Sequence, residues 1–355
     1  MSVASTETST DPSSHPTPEA GSDDRRRLTV VYNPVKVDDI DSTKAMVAAA
    51  ADRHGWQEPQ WIETTAEETG EKQGREAVEA GAQVVASLGG DGTVRSVASA
   101  LVGTDVALGL LPGGTGNLLA RNLGLPVDSI EQALEIVLSG RDRSIDVGLL
   151  RSGDSLVEVG ADSSGGPGGR ADDPTRERRD DEEVFLVMAG LGLDGEVMAG
   201  TNEKVKKVIG WVAYVFAALH KVFGRGFSVR VSASGGPGEV SRPGDTIGRH
   251  ARSVVIGNCG TLQGGIELMP EAKLDDGILD AVVVAPKGFI GWVSVIGDVA
   301  TRHRAGHRRL DRMRGRGFVV SSRDAVEAEI DGDPIGPRRV LAVRVLPDSL
   351  VVRVG

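Results

Sequence analysis

The chain has 355 residues, enough for one large domain or two of ordinary size, and 39% of them are apolar. Its formal net charge of −11 disfavours non-specific binding to nucleic acid, and its single cysteine, Cys259, excludes an internal disulfide. No apolar run is long enough to span a membrane, and the N-terminus lacks the apolar segment of a secretory signal, so we expect a cytoplasmic protein.

Residues 1–27 are rich in Ser, Thr, Pro and Asp, a composition that predicts a disordered tail. Residues 28–147 then alternate between short apolar runs and helical patterns. The predicted strands are 28–32, 61–65, 84–88 and 106–111. The predicted helices are 41–54, 69–80, 94–101, 118–122 and 128–139. This alternation predicts a three-layer α/β domain on a parallel sheet, with its ligand site beyond the carboxyl ends of the strands.

Two glycine-rich loops follow the third and fourth predicted strands. The first reads Gly89-Gly90-Asp91-Gly92-Thr93, and the second reads Pro112-Gly113-Gly114-Thr115-Gly116-Asn117. Glycine lets a phosphate approach the backbone, and the free amides at a helix start can bind its oxygens. The threonines would add hydroxyl donors, and Asp91 would place a carboxylate beside a metal ion or a proton. Neither loop is a Walker A or dinucleotide fingerprint, yet together they predict a phosphate site.

Residues 148–355 have a different pattern of short strands and glycine-rich connections, which predicts a β-rich domain. Its predicted strands are 145–150 (crossing the boundary), 227–232, 251–258, 318–321, 325–330, 340–346 and 350–354. Two polar insertions interrupt it, at residues 153–183 and 234–249, and we expect the first to be a solvated loop.

Two further segments of this half carry open interpretations. In residues 204–223 apolar side chains repeat at helical spacing, which predicts a helix packed on the β-rich domain. The same face could also line an acyl-chain channel or touch a membrane surface. Residues 302–316 contain seven arginines, which could form a solvated helix face. Their nearly uniform charge favours attraction to an anionic membrane, with nucleic acid a less favoured ligand.

The motif GGDGT at 89–93, combined with LPGGTGNLLARNLGLP at 111–126, resembles the catalytic domain of the diacylglycerol kinase family. That family includes bacterial soluble lipid kinases and sphingoid-base kinases. NAD kinases also carry GGDGT, but the GTGN-x-x-AR segment favours the lipid kinases, although Leu118 stands where many members have aspartate. The resemblance implies an α/β nucleotide-binding domain, a C-terminal β-sandwich, use of ATP and Mg²⁺, and phosphoryl transfer to a lipid alcohol.

The resemblance also implies roles for individual residues. The implied nucleotide-binding residues are Asn33, Thr65, Gly89, Gly90, Asp91, Gly92, Thr93, Gly114, Thr115, Gly116 and Asn117. The segment MPEAKLDDGILD resembles a magnesium-binding loop of the bacterial members, with Asp276 as the ligand and Asp275 and Asp280 as its neighbours. Asp194 would contact the polar head of the lipid. Asp333 stands where the family has the glutamate of an Asp-Gly-Glu turn and would be the catalytic base, with Asp91 beside the phosphates. Each aspartate could instead be an ordinary turn residue.

Three functions therefore compete at the level of the sequence. The first is an ATP-dependent lipid kinase that phosphorylates diacylglycerol or a related lipid alcohol and gives a phosphatidic acid-type product. The second is an NAD kinase-like small-molecule kinase, and the third is a catalytically silent lipid-binding protein. The intact Asp91, Thr93, Thr115 and Asp333 favour an active enzyme. We expect a lipid substrate, peripheral association with the inner face of an anionic membrane and no nucleic acid, and leave a homodimer open.

Overall fold

The structure of the chain, a computed structural model, describes residues 25–161, 177–192, 226–235, 246–262, 266–286 and 310–355. The first four strands are β1 (Leu28–Tyr32), β2 (Gln60–Glu63), β3 (Val84–Gly89) and β4 (Ala107–Pro112). The helices are α1 (Ile40–Arg53), α2 (Glu71–Glu79), α3 (Asp91–Leu101), α4 (Leu118–Asn122) and α5 (Ile130–Ser139). A short 3-10 turn, Pro34–Lys36, follows β1.

The N-terminal strands form a parallel sheet in the order β2-β1-β3-β4. Val47 of α1 and Leu134 of α5 pack on one face, while Ala77 of α2 and Val97 of α3 pack on the other. The three predicted layers are therefore present. The strand order reverses between β1 and β3, and ligands of open α/β sheets bind beyond the strand ends at such a reversal.

The remaining strands are mostly antiparallel. They are β5 (Arg141–Gly153), β6 (Glu183–Phe185), β7 (Met188–Leu191), β8 (Phe227–Ser234), β9 (Thr246–Ala251), β10 (Ser253–Gly257), β11 (Thr261–Leu262), β12 (Ile266–Glu267), β13 (Leu279–Val284), β14 (Leu310–Gly315), β15 (Gly317–Ile330) and β16 (Asp333–Val354). The last strand runs antiparallel to β5 and β15 and pairs in parallel with β4 at Val352 and Leu108. Because of this pairing, one sheet continues through both halves, and the predicted boundary after residue 147 falls inside β5.

Two apolar cores explain how the halves are held together. Phe185, Phe318 and Leu341 belong to a core between the strands of the C-terminal half. A second core combines helix residues such as Leu118 with Val255 and other residues of the C-terminal strands. Burial of apolar surface across the junction makes the two halves one packed unit in the part of the chain that the structure describes.

The structure corrects several predicted boundaries. The two strands predicted over 318–330 are one strand, β15, and the two over 340–354 belong to β16. The predicted breaks at 322–324 and 347–349 are absent, because the strands continue through register shifts at these points. Helix α3 begins at Asp91 instead of residue 94, so the second half of the first glycine loop forms the first helical turn.

Described residues at the ends of the predicted tail and of the first polar insertion make specific contacts. The Arg26 guanidinium lies 4.2 Å from the centre of the Trp56 ring, so the prediction of a tail up to residue 27 is wrong at its end. Near the end of the first insertion, Glu182 and Arg344 form a buried ion pair of 2.7 Å. Residues 1–24, 162–176 and 204–223 lie outside the described residues. None of the helices in the described ranges has the length and apolar character needed to cross a bilayer.

Candidate active site

The two glycine loops lie directly against each other. A Cβ on Gly113 would come within 2.8 Å of the backbone N of Gly89, and one on Gly114 within 2.8 Å of the Cα of Gly90. No side chain fits at these two contacts, which is a physical reason for glycine there. The structure therefore brings the two predicted phosphate loops together at the end of β3 and β4.

The other predicted nucleotide-binding residues occupy different positions around these loops. The backbone N of Asn33 donates to the Leu88 carbonyl (3.0 Å), and its side chain accepts from Val35 N (3.0 Å). Thr65 is exposed and its hydroxyl accepts from Glu68 N (3.0 Å). Thr115 is exposed as well, whereas Thr93 is buried beneath Gly89. The buried threonine supports the loop, and the exposed one is accessible to a ligand.

Asp91 connects the two loops through its carboxylate. Its Oδ1 accepts a hydrogen bond from Leu118 N (2.6 Å), the first residue of α4, and its Oδ2 lies where a Cβ on Gly116 would be. Burial raises the pKa of Asp91, and the Asp331 and Asp333 carboxylates raise it further, against the lowering effect of the Leu118 amide. The negative charge of the Asp91 carboxylate is thus only partly compensated by the groups around it.

The second loop is held in shape by two side chains. Asn117 has a left-handed backbone (φ 47°), and its Nδ2 donates to the Gly114 carbonyl (2.8 Å). Arg121 donates from Nε to the Gly116 carbonyl (2.8 Å). One residue on, Asn122 donates to the Thr261 carbonyl (2.8 Å) and accepts from its N–H (3.1 Å). Helix α4 therefore joins the loop to the C-terminal half.

Asp333, the predicted base, reaches the site from the C-terminal half. Its Oδ2 lies 3.0 Å from the position of a Cβ on Gly92, and the side chain is 51% exposed. Arg95 of α3 donates from Nη2 to this oxygen (2.8 Å) and from Nη1 to the Ile330 carbonyl (2.6 Å). The two predicted catalytic aspartates are thus neighbours, joined through the first turns of α3.

Arg95 is a site residue that the sequence interpretation missed. It follows Asp91 by four residues, so a helix that begins at Asp91 places both on one face. The four-residue spacing of Asp91 and Arg95 is visible in the sequence. Because the predicted helix began at residue 94, Asp91 was not counted as part of it and the shared face was not recognised.

The other aspartate of the turn has a structural role. Asp331 has a φ of 50°, and its buried carboxylate accepts from the amides of Leu186 (2.9 Å), Val187 (2.8 Å) and Met188 (2.9 Å). Burial raises its pKa, while Arg95 and the three amides act in the opposite direction. With its oxygens occupied by amides, Asp331 fixes the turn that presents Asp333.

In the predicted magnesium-binding loop, the aspartates are paired with arginines. Asp275 pairs with Arg143 (2.7 Å), and Asp276 pairs with Arg314 (2.8 Å), which also contacts Asp280 (3.2 Å). Burial raises the pKa of Asp280 to about 6. In the described part of the chain, no group of three His, Cys, Asp or Glu side chains could hold a metal ion. These carboxylates do not fit a resident cation while the Arg314 guanidinium is paired with two of them. The assignment of Asp275 and Asp276 as metal ligands stays a prediction. Asp194 lies outside the described residues.

Comparisons with known proteins match both halves of the chain. A model of the diacylglycerol kinase catalytic domain matches residues 27–150. A model described as the YegS C-terminal NAD kinase beta sandwich-like domain matches residues 187–354. These matches confirm the predicted order of an α/β domain followed by a β-sandwich.

Curated relatives and solved structures agree with the domain models. A "Probable lipid kinase YegS-like" of Pseudomonas syringae pv. tomato is 30% identical over 267 residues, 73% of this chain and 72% of the relative. One of Pseudomonas putida is 32% identical over 263 residues, 73% of each. A crystal structure of a diacylglycerol kinase from Bacillus anthracis str. Sterne has a TM-score of 0.63 at 17% identity and covers 93% of this chain and 97% of that chain. A further structure from that organism gives 0.67 at 19% identity, over 93% and 95%. These structural matches establish the fold alone.

Proposed function

Because this chain belongs to the family of YegS-like lipid kinases with a diacylglycerol kinase catalytic domain, we propose that it transfers the γ-phosphate of ATP to the hydroxyl of a lipid alcohol. The proposed acceptor is diacylglycerol or a close relative, and the product is of the phosphatidic acid type. The reaction would supply a phospholipid precursor.

The observation that carries this proposal is the meeting of two carboxylates from different halves of the chain. Asp91 closes the glycine loops, and Asp333 lies against Gly92 in the same place. Phosphoryl transfer requires mainly positioning and charge neutralisation, with a carboxylate to accept the hydroxyl proton. A site shared between the nucleotide loops and the β-sandwich supports a reaction between a nucleotide and a second substrate.

In the proposed reaction, Asp333 is the base. Arg95 holds its Oδ2, which leaves Oδ1 to accept the proton of the lipid hydroxyl as that oxygen attacks the γ-phosphorus. The amides of the glycine loops and the start of α3 would bind the phosphate oxygens. The P–O bond to ADP breaks as the bond to the lipid oxygen forms, and the proton remains on Asp333 until solvent removes it.

The residues also fit the Mg²⁺ that accompanies ATP in such kinases. Mg²⁺ is commonly held by one or two carboxylates together with substrate phosphates. Asp91, whose buried charge is only partly compensated, would supply such a carboxylate beside the phosphate loops. The ion would neutralise charge on the transferring phosphate.

A lipid panel tests the proposal. The protein is incubated with Mg²⁺ and ATP labelled at the γ-phosphate, and with diacylglycerol, monoacylglycerol, a sphingoid base or NAD. We expect label in diacylglycerol or a related lipid alcohol. Label in NAD alone would favour the NAD kinase-like alternative. We include NAD because the description of the C-terminal family model refers to NAD kinase. No label in any acceptor would favour a silent lipid-binding protein.

We also propose peripheral association with an anionic membrane, since the proposed substrate lies in a bilayer. The support is the run of arginines at 302–316, of which Arg314 is already occupied by Asp276 and Asp280. Replacing Arg308 and Arg309 with Gln should reduce sedimentation with phosphatidylglycerol vesicles at low salt. A variant that replaces the exposed Arg323 and Arg339 with Gln carries the same charge change and should sediment normally. Equal binding of both variants would contradict the assignment.

A further inference from the structure

Asn122 is the last residue of α4, and its side-chain amide is fully engaged with the protein backbone. Its Nδ2 donates to the Leu118 carbonyl one turn earlier (3.0 Å) and to the Thr261 carbonyl (2.8 Å), and its Oδ1 accepts from Thr261 N (3.1 Å). Both amide hydrogens are used, and the exchange with Thr261 resembles the paired bonds between two strands. Thr261 begins β11 in the C-terminal half, so one side chain joins the two halves.

Helix α4 depends on such contacts because it is short. It has five residues, and isolated helices below about 12 residues are marginal in water. Burial of Leu118 and Leu119 attaches it to the apolar core, but apolar contact is not directional, so hydrogen bonds have to set its orientation. That orientation reaches the site, because Leu118 N donates to Asp91 Oδ1 (2.6 Å) and Arg121 donates to the Gly116 carbonyl (2.8 Å).

The partner of Asn122 is a well-anchored part of the C-terminal half. The residue before Thr261 is Gly260, whose carbonyl accepts from Leu268 N (3.1 Å) and Met269 N (3.2 Å). A Cβ on Gly260 would come within 2.7 Å of the Met269 carbonyl oxygen, so the two backbones are in close contact. Asn122 thus ties α4 to a backbone that is itself held in place.

We propose that Asn122 is a positioning residue for the triphosphate of ATP. Through it, the C-terminal half holds Asp91 and the second glycine loop in their phosphate-binding arrangement. The inference rests on the proposed kinase function and adds a residue to its nucleotide site. Its basis is an unbroken series of hydrogen bonds from the Thr261 backbone through the Asn122 amide and Leu118 to the Asp91 carboxylate.

Asn122→Leu tests this role, because leucine keeps the size of the side chain but makes no hydrogen bond. We expect the Kd for Mg-ATP and the Kd for inorganic triphosphate each to rise about tenfold, since the loops bind the phosphate groups. The KM for ATP should rise with them, while the KM for dioctanoylglycerol changes by less than about twofold. An unchanged Kd for ATP, or a loss for ATP without a loss for triphosphate, would overturn the proposal.

The other end of the hydrogen-bonded series offers an independent test. Thr261→Pro removes the N–H that donates to Asn122 Oδ1 and leaves the nucleotide half unaltered. It should weaken ATP binding about threefold or more. The double variant should bind ATP as Asn122→Leu does, within about twofold, because both changes break the same contact. Effects that simply add would show two unrelated disturbances and would contradict the proposal.

Ser129→Ala is the matched control for a general loss of stability. Ser129 caps α5 by accepting from Gln132 N (3.3 Å), and loss of such a cap costs about 1 kcal/mol. Its melting temperature should fall by about 2 °C, comparable to that of Asn122→Leu, while its Kd for ATP stays at the wild-type value. An equal loss of ATP affinity in both variants would assign the effect to stability and refute the positioning role.

Direct binding also distinguishes failure of this inference from failure of the proposed function. A wild type that binds Mg-ATP but phosphorylates no acceptor would refute the kinase proposal, while the Kd values of Asn122→Leu and Ser129→Ala would still decide the role of Asn122. A wild type that binds neither Mg-ATP nor inorganic triphosphate would refute both.

Discussion

At the scale of single residues, the structure separates carboxylates that support the site from those that are free to act. Asp331 is occupied by three amides, whereas Asp333 has an oxygen without a partner in the described residues and is half exposed. Asp91 has one oxygen on an amide and the other facing Gly116. The chemistry of the site therefore depends on Asp91 and Asp333.

Asp91→Asn is expected to lower kcat by about 100-fold or more while the protein stays folded. The amide oxygen of asparagine can still accept from Leu118 N, but the negative charge is lost. Lipid phosphorylation and a melting curve for the same preparation check this. Near wild-type turnover with an unchanged melting curve would make Asp91 an ordinary turn residue.

The pH dependence of stability should report on Glu329. Burial raises the folded pKa of this β15 carboxyl to about 8 from a reference value of 4.5, so the folded state keeps a proton that the unfolded state loses. The contribution of Glu329 to stability is therefore fully present below about pH 4.5 and is lost as the pH rises through about 8, at up to about 1.4 kcal/mol per unit.

Denaturant unfolding of the wild type and of Glu329→Gln between pH 5 and 9 isolates this contribution. The free energy of unfolding of the wild type should fall relative to the variant across that range. Parallel curves for the two proteins would show that Glu329 titrates normally.

At the scale of elements, helix α3 and the hairpin of β15 and β16 form the site together. Arg95 donates its two hydrogen bonds to different groups of that hairpin, the Ile330 carbonyl and the Asp333 carboxylate. The arginine thus sets where the base lies relative to the phosphate loops. Small displacements of a catalytic group are costly, because transfer requires close alignment.

Arg95→Met is expected to lower kcat by about 10- to 100-fold with little change in the KM for ATP. Arg95→Lys should recover part of the loss, since an ammonium can still reach one of the two acceptors. Arg75→Met, which removes an exposed arginine of α2 paired with Glu71, is the control and should keep normal kinetics. If Arg95→Met and Arg75→Met have the same kcat, the contact of Arg95 with Asp333 has no positioning role.

The sequence predicted which helices and strands exist better than it predicted the residues at which they begin and end. Apolar runs and glycine loops identified the strands and helices of the N-terminal half, because local periodicity determines them. The start of α3 was misplaced since glycine within Asp91-Gly92-Thr93 is typical of a loop, and the error hid Arg95. The pairing of β16 with β4 joins residues far apart in the sequence, so no local sequence pattern predicts it.

At the scale of the whole molecule, arginines connect segments that the sequence interpretation treated separately. Arg314, predicted as part of a basic membrane-binding run, bridges Asp276 and Asp280 of the predicted metal loop. A guanidinium there already supplies positive charge to both carboxylates. The predicted membrane-binding role of Arg314 and the predicted metal-binding role of Asp276 therefore each require groups that this ion pair already uses.

We expect a chelator to leave the melting temperature of the wild type unchanged, because Arg314 neutralises the loop. Arg314→Met should lower it by about 2–4 °C, since it leaves the largely buried Asp280 unpaired. Arg143→Met, at the more exposed pair with Asp275, should have a smaller effect. A clear drop in the wild-type melting temperature on chelation alone would instead support the metal site that the family resemblance implies.

The central claim is that both halves of the chain build one site that phosphorylates a lipid alcohol, with Asp333 as the base. Its most direct test is transfer of the γ-phosphate of ATP to dioctanoylglycerol by the wild type and by Asp333→Asn, with ATP affinity measured for both. The account predicts a labelled lipid phosphate from the wild type and a loss of about 100-fold or more in Asp333→Asn at nearly unchanged ATP affinity. No labelled lipid from the wild type, or equal rates for the two proteins, would contradict it.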